Sequence, residues 1–283
     1  MSTPTVAILH PGRMGTAIAR QIDSASTKLW CPQGRSPATH HRANGAGLEP
    51  LGLNELAAAS DIVISLVPPA AAEDTAHALL AEGFTGLYVE ANAIRPHRAH
   101  ALAEMTRKAG ADFVDACVIG PPPAPNTQTT RFYLAGDRQL CNQVTALLPT
   151  GAPQIHYLGA EDGQASALKT AQGIAQKATR IVSILAHALA TNYGVTDELA
   201  SLTSTWPHPA SEPEKFPSVA ARAWRWESEF HDISQALHEA GLPPGITTEI
   251  ITLLRKWENL KDDDNTGLDE VISQMIDIGN SNP

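Results

Sequence analysis

Chemistry is most legible near the start of the chain, in the run Val6-Ala-Ile-Leu-His10-Pro-Gly12-Arg13-Met14-Gly15. Gly12 and Gly15 follow a short apolar stretch and lead into Thr16–Ile22, whose spacing is helical. This spacing suits a pyrophosphate. One glycine lets backbone approach the anion, the last lets a helix pack on the strand, and the helix N-terminus faces the phosphates. The full fingerprint is G-x-G-x-x-G, and His10 stands where its first glycine would be. A second chemical feature is Arg35-Ser36. About 20 residues beyond the glycine turn, an acidic side chain would hold a ribose 2′-hydroxyl. A cation and a hydroxyl instead suit a 2′-phosphate, so NADPH is favoured over NADH. A third feature is the polar series Ser166, Lys169, Gly173, Gln176 and Arg180, which recurs at helical intervals. Arg180 lies about 16 Å from Lys169 at a 1.5 Å rise, too far to share one small substrate. Ser166 and Gln172 lie within a turn of Lys169.

These residues need a scaffold, and the hydrophobic pattern supplies one. Val6–Leu9 is continuously apolar, as in a parallel strand buried on both faces. Further strands are expected at Thr27–Trp30, Ile62–Val67 (stopped by Pro68-Pro69), 86–90 and 113–120. Short strands at Arg131–Ala135 and 154–158 flank a helix at 139–148. Helices at 70–81 and 97–108 complete an alternation typical of a doubly wound α/β sheet, a Rossmann domain over residues 1–160. From 161 to 283 only helical periodicity remains. It predicts one helix of about 50 Å from Glu161 to Tyr193, then helices at Ser218–Ala240, Pro244–Leu260 and 268–278. Proline-rich stretches beginning at Trp206 and Ser211 read as a connecting loop. This second region is therefore expected to be an all-helical domain.

Composition excludes several classes. The 283 residues are 43% hydrophobic with a net charge of −10, which suits a folded, acidic protein and argues against a nucleic-acid or anionic-membrane surface. No run is long enough to span a bilayer, and no signal peptide is expected. Cys31, Cys117 and Cys141 have no metal-ligand spacing and suit a reducing, cytoplasmic setting. His97, His100, His208 and His231 show no ligand pattern either, and the acidic run after Lys261 reads as a solvated turn. Arg222, Trp224, Arg225 and Trp226 form an aromatic-basic patch. It reads either as a packed helix with arginines paired to Glu227 or Glu229, or as the source of an arginine for a substrate anion.

Four segments carry a resemblance to the 6-phosphogluconate dehydrogenase/β-hydroxyacid dehydrogenase superfamily. His10-Pro-Gly-Arg-Met-Gly15 resembles its G-L-G-x-M-G. Phe113-Val-Asp-Ala-Cys-Val-Ile-Gly120 resembles its substrate loop, D-A-P-V-S-G-G. Glu90-Ala-Asn92-Ala-Ile-Arg-Pro96 sits where the family has a turn at the nicotinamide. Gly163-Gln-Ala-Ser166-Ala-Leu-Lys169 is similar to its G-Q-x-x-K. The C-terminal run from Ala221 to Glu227, with Gly241 to Gly245, is similar to the helical domain of a divergent branch. The resemblance implies that Gly12, Arg13, Met14 and Gly15, with Arg35, Ser36, Val67, Pro68 and Asn92, hold NADP(H). It implies that Asn92, Ile119, Gly120, Ser166, Gln172 and Gly173 surround the substrate and that Lys169 is the catalytic acid–base. Ile119 and Pro121 replace the loop's serine and second glycine, and Gly173 replaces an asparagine four residues after the lysine.

The implied activity is NADPH-dependent interconversion of a small acidic keto compound, bearing a carboxylate, phosphate or phosphonate, and its hydroxy form. The implied assembly is a homodimer. Two alternatives share the architecture. One is an imine reductase, although that group generally lacks the lysine. The other is a non-catalytic regulatory protein that binds NADPH.

Overall fold

The computed structural model describes residues 3–276 apart from 125–128, 149–152, 206–208, 210–211 and 264. His208 and parts of the proline-rich connection therefore lie outside the described residues, as do the last two positions expected in the final helix. The chain divides into two units, Met1–Lys169 and Thr170–Pro283.

In the first unit, β1 (Val6–Leu9) leads into α1 (Arg13–Gln21) and then β2 (Lys28–Trp30). Two elements that hydrophobic periodicity did not announce follow: α2 (Pro37–Asn44) and the two-residue β3 (Glu49–Pro50). Their neighbour α3 (Leu53–Ala59) was also unannounced. α2 has a local cause, since Ser36 caps it and Pro37 occupies its first turn. β4 (Ile62–Ser65), α4 (Ala72–Ala81), β5 (Leu87–Glu90), α5 (Pro96–Lys108) and β6 (Asp112–Ile119) continue the alternation. β7 (Arg131–Ala135), α6 (Arg138–Leu147) and β8 (Gln154–Gly159) complete it.

The strands form one sheet in the order β3-β2-β1-β4-β5-β6-β7-β8, parallel except for the β6–β7 pair. Alternate residues feed opposite faces. Ile8, Ile64, Val89 and Val114 enter one apolar core, while Ala7, Val63, Tyr88 and Phe113 enter the other. The order reverses between β1 and β4. In an open parallel sheet that point, at the carboxyl ends of the strands, is where ligands settle. β1 ends there in His10, β4 in Leu66-Val67, β5 in Ala91-Asn92 and β6 in Gly120. The fold thus gathers residues from four distant parts of the chain along one edge.

The expected helix 161–193 is subdivided. Gly163, at φ +83°, closes a turn before α7 (Gln164–Gly173), so the helix starts three residues late. A π-helical segment, Ile174–Ala178, precedes α8 (Thr179–Asn192). In the second unit, α9 (Thr196–Thr203) and α10 (Phe216–Ala220) lead to α11 (Ala223–Glu239), α12 (Gly245–Arg255) and α13 (Leu268–Ile276). The expected helix 218–240 breaks between α10 and α11. The carbonyl of Ala221 accepts the Asp262 amide at 2.9 Å instead of serving the helix. Ile181, Ile184, Phe216, Phe230, Trp257 and Met275 belong to this unit's core.

The aromatic-basic patch has partners in this unit other than those expected of a packed helix. Arg225 donates to Asp262 at 2.8 Å and stacks over Trp224, while Arg222 donates to the Ser218 carbonyl. Glu227 pairs with Arg255, and Glu229 pairs with Lys177. Trp224 is 40% exposed and so is not a core residue.

Candidate functional site

The glycine turn comes first because it fixes where an anion can lie. His10 has φ +64°, a left-handed conformation uncommon outside glycine. The missing glycine's backbone geometry is therefore present on a histidine. The Gly12 amide donates to the His10 carbonyl at 2.7 Å, tightening the turn. At Gly15 a Cβ would stand 2.9 Å from the His10 carbonyl oxygen and 3.2 Å from Ile8 Cγ2, so α1 can pack on β1 only through glycine. No side chain caps α1. The amides at its start, Arg13 and Met14 among them, are left for an anion.

Beside this turn stands a cationic group. Arg35 Nε and His10 Nδ1 are both buried without a hydrogen-bond partner. Arg42 donates to Thr39 Oγ1 at 2.8 Å and to the Pro11 carbonyl at 3.3 Å, tying α2 to the glycine turn. Ser36 Oγ accepts from the Thr39 amide at 3.4 Å, so it serves first as the α2 cap. Burial, then the charges of Arg35 and Arg42, hold the His10 imidazole below its ordinary range. Arg42 was not identified from sequence. The available signal was the Ser36-Pro37 helix start, which puts position 42 about a turn and a half along.

At the ends of β4 and β5 the polar groups bind one another. Asn92 is 3% exposed; its Oδ1 accepts the Val67 amide at 2.6 Å and its Nδ2 donates to Ser65 Oγ at 3.0 Å. Taking up the Val67 amide is what ends β4 at Ser65, two residues before the expected stop. The Asn92 side chain therefore sets the shape of the Val67-Pro68 loop. The Asn92 amide in turn donates to Glu90 Oε1 at 2.9 Å. Glu90 is fully buried, and desolvation pushes its carboxyl up to about 8. Because the folded value lies above the unfolded one, stability from this group is present below about pH 4.5 and lost as pH rises toward about 8. Glu90→Gln is accordingly expected to raise Tm relative to the natural protein at pH 9, by at least about 2 °C, and to lose that advantage at pH 5. Melting curves at the two pH values check it, and an equal difference at both would refute the sign.

The end of β6 carries the candidate proton donor. Lys169 Nζ donates to the Val118 carbonyl at 2.9 Å and is partly buried. Two residues on, Gly120 has φ +115°, and a Cβ there would stand 2.5 Å from the Thr129 carbonyl oxygen. That turn tolerates glycine alone. Ile119 is half-buried and Gly120 exposed. Ser166 is fully buried, with its hydroxyl donating to Asp115 Oδ1 at 2.7 Å. Asp115 lies in the segment that resembles the substrate loop, but it received no role of its own, because an aspartate inside an apolar strand carries no periodic signal. The neighbouring Cys117 thiol is pushed up to about 12 by burial, which keeps it an inert core group at neutral pH. Gln172 and Gly173 belong to the second unit. Gln172 donates to Gln176 Oε1 at 2.9 Å, and a Cβ on Gly173 would meet Ile233 Cδ1 at 3.6 Å. Among the described residues there is no cluster of three or more potential metal-ligating side chains.

The sequence profile described as the NAD binding domain of 6-phosphogluconate dehydrogenase matches residues 5–159, more than half of the chain. The chain belongs to this family. A domain of unknown function, DUF1932, matches residues 190–257. Within curated proteins, mitochondrial 3-hydroxyisobutyrate dehydrogenase of Drosophila melanogaster is 29% identical over 161 residues, 56% of this chain and 50% of that enzyme. The chain spans half to just under two thirds of the length of the curated relatives it matches. In structure it resembles Mycobacterium tuberculosis 3-hydroxyisobutyrate dehydrogenase with L-serine, at TM-score 0.73 and 19% identity, over 96% of this chain and 99% of that one. It also resembles the imine reductase of Myxococcus stipitatus in complex with NADP+, at TM-score 0.62 and 18% identity, over 96% and 100%. At these identities the likeness is one of fold.

The family's domain binds a nicotinamide dinucleotide, and the residues present fit one. Gly15 leaves no room for a side chain, α1 has no side-chain cap, and Arg35 Nε is a buried donor without a partner. Each is a feature a bound phosphate would use. Among the described residues no helix is long and apolar enough to cross a membrane.

Proposed function

We propose that this protein is an NADPH-dependent oxidoreductase that interconverts a small acidic keto compound and its hydroxy form. The observation that carries the reading is Lys169 Nζ at 2.9 Å from the Val118 carbonyl, at the same carboxyl edge of the sheet as the glycine turn. The Drosophila relative, a 3-hydroxyisobutyrate dehydrogenase, supports the hydroxy-acid class.

In this reading the first-turn amides of α1 and the Gly12–Gly15 backbone bind the pyrophosphate. Arg35, Ser36 and Arg42 bind the 2′-phosphate, and the Val67-Pro68 loop, shaped by Asn92, supports the nicotinamide side. The cofactor supplies the hydride when bound. Lys169 supplies the proton: its ammonium, anchored at Val118, donates to the substrate oxygen as charge develops there, and takes the proton back in oxidation. Ile119 and Gly120 stand beside it at the strand end, while Gln172 and Gly173 follow on the same helix. Assay of a panel of β-keto acids, β-hydroxy acids and cyclic imines with NADPH or NADP+ tests the reading. Turnover of an acid supports it, turnover of imines alone replaces it, and NADPH binding without turnover of any member points to a regulatory protein.

The second unit exposes several large apolar side chains, including Tyr193 at 73%, Leu202 at 60% and Ile246 at 54%. Burial of these side chains against a second copy would remove them from water. A two-fold homodimer burying more than about 2,000 Å² is expected, to be checked by light scattering at micromolar concentration. A monomer there would rule the dimer out.

A further inference from the structure

Asp115 lies in the middle of β6, buried, in a strand that is otherwise apolar from Phe113 to Val118. An ionised carboxylate in such a place needs full hydrogen bonding to be tolerated. Its partners all come from one segment. Oδ2 accepts the amides of Ala165 at 2.8 Å and Ser166 at 3.0 Å, and Oδ1 accepts the Ser166 hydroxyl at 2.7 Å. These are groups of the first turn of α7, where amides lack partners within the helix. Three residues further along the same helix is Lys169, whose Nζ reaches back to Val118, three residues along the same strand. Strand and helix are thus joined at two points, by the carboxylate at one and by the ammonium at the other.

We propose that Asp115 is a positioning residue for the proton-transfer lysine: by gripping the first turn of α7 it fixes where Lys169 presents its ammonium. The inference rests on the proposed role of Lys169. A carboxylate that bonds only to itself and its own strand would have no such effect; this one spans 50 residues of sequence to reach the helix. Small displacements of a proton donor carry large rate effects, because transfer requires hydrogen-bond reach. The charged and titratable groups facing Asp115 are Glu90 on β5, Asp162 before α7, and the thiols of Cys117 and Cys141, while Lys169 on α7 faces Cys117. Burial and the Asp162 charge push the Asp115 carboxyl up, to about 6, against the pull of its three hydrogen bonds. Below that pH the grip should loosen.

The test uses the full chain and four variants, Asp115→Ala, Asp115→Asn, Ser166→Ala and Lys169→Met. Turnover is measured with NADP+ and 3-hydroxyisobutyrate, or the best acid of the panel, and amide hydrogen exchange is followed by mass spectrometry. Asp115→Ala is expected to lower kcat at least about tenfold with NADPH affinity held within a few-fold. Exchange should quicken in the peptide covering 164–170 and stay unchanged across β1, β4 and β5. Asp115→Asn keeps one acceptor for the amides and imitates the protonated carboxyl, so its kcat is expected to lie above that of Asp115→Ala and near the value the natural protein reaches below about pH 6. Its profile should also be flat through about pH 6, where kcat of the natural protein is expected to fall. If Asp115→Ala does not fold, Ser166→Ala and Asp115→Asn decide: faster exchange at 164–170 with a reduced kcat for Ser166→Ala supports the proposal. An Asp115→Ala or Ser166→Ala protein with natural kcat and natural exchange at 164–170 overturns it. Lys169→Met separates this failure from failure of the functional reading. Should Lys169→Met keep full activity, the lysine's role falls, and the positioning role falls with it. Should Lys169→Met be inactive while the Asp115 variants behave as the natural protein, only the positioning role falls.

Discussion

Lys169→Met is expected to lower kcat by about 10²–10⁴-fold, the usual cost of removing a positioned acid, while NADPH affinity stays within a few-fold. The two readouts separate because the groups that would hold the cofactor lie in the glycine turn and at Arg35 and Arg42. Lys169 instead bonds to Val118 at the end of β6. The loss corresponds to about 3–5 kcal/mol of transition-state stabilisation at 1.4 kcal/mol per tenfold. Methionine matches the length of the lysine stem, so packing along the helix is preserved and the missing ammonium is what the assay reads. Lys169→Arg should fail almost as badly, since a guanidinium does not readily release a proton. Retention of more than about a tenth of the activity by Lys169→Met would remove the lysine from the chemistry.

The second large effect is expected at Arg35. The natural protein should bind NADPH at least about tenfold more tightly than NADH, or ~1.4 kcal/mol, and Arg35→Asp should reverse the order. The physical basis is the convergence of Arg35, Arg42 and the neutral His10 beside the Ser36 and Thr39 hydroxyls. An aspartate would repel a 2′-phosphate and accept a hydrogen bond from a 2′-hydroxyl. Arg42 remains in that variant, so residual NADPH binding above that of an uncharged surface is expected. Fluorescence titrations with both cofactors measure the ratio, and equal affinities in the natural protein would refute the assignment.

The doubly wound sheet was legible because its central strands are apolar and stopped by glycine or proline, and such patterns survive any tertiary context. α2, β3 and α3 were not legible. α2 is short, with only Thr39 and Ala43 buried, and β3 has two exposed residues, so neither writes a periodicity. Their omission concealed Arg42, whose relevance depends entirely on α2 being a helix. Lys169 was placed by its resemblance to a motif, and its anchor at Val118 depends on a fold contact between residues 51 apart. Asp115 and Glu90 lie inside segments that carry the resemblance, yet their own roles were not legible, for the same reason. A buried carboxylate announces itself only through partners that folding brings to it. The breaks at Gly163 and between α10 and α11 arise from turn geometry and one carbonyl's choice of donor, which helical periodicity does not encode.

The left-handed backbone at His10 has a consequence for how this sequence can drift. A side chain in that conformation carries a strain of order 1 kcal/mol that glycine would relieve. Selection for thermal stability alone therefore favours exchange of His10 for glycine, while selection for anything the imidazole does beside Arg35 and Arg42 opposes it. The position is a tug-of-war between robustness and chemistry. A library enriched only for heat resistance should shed this histidine early, and one enriched for turnover should keep it.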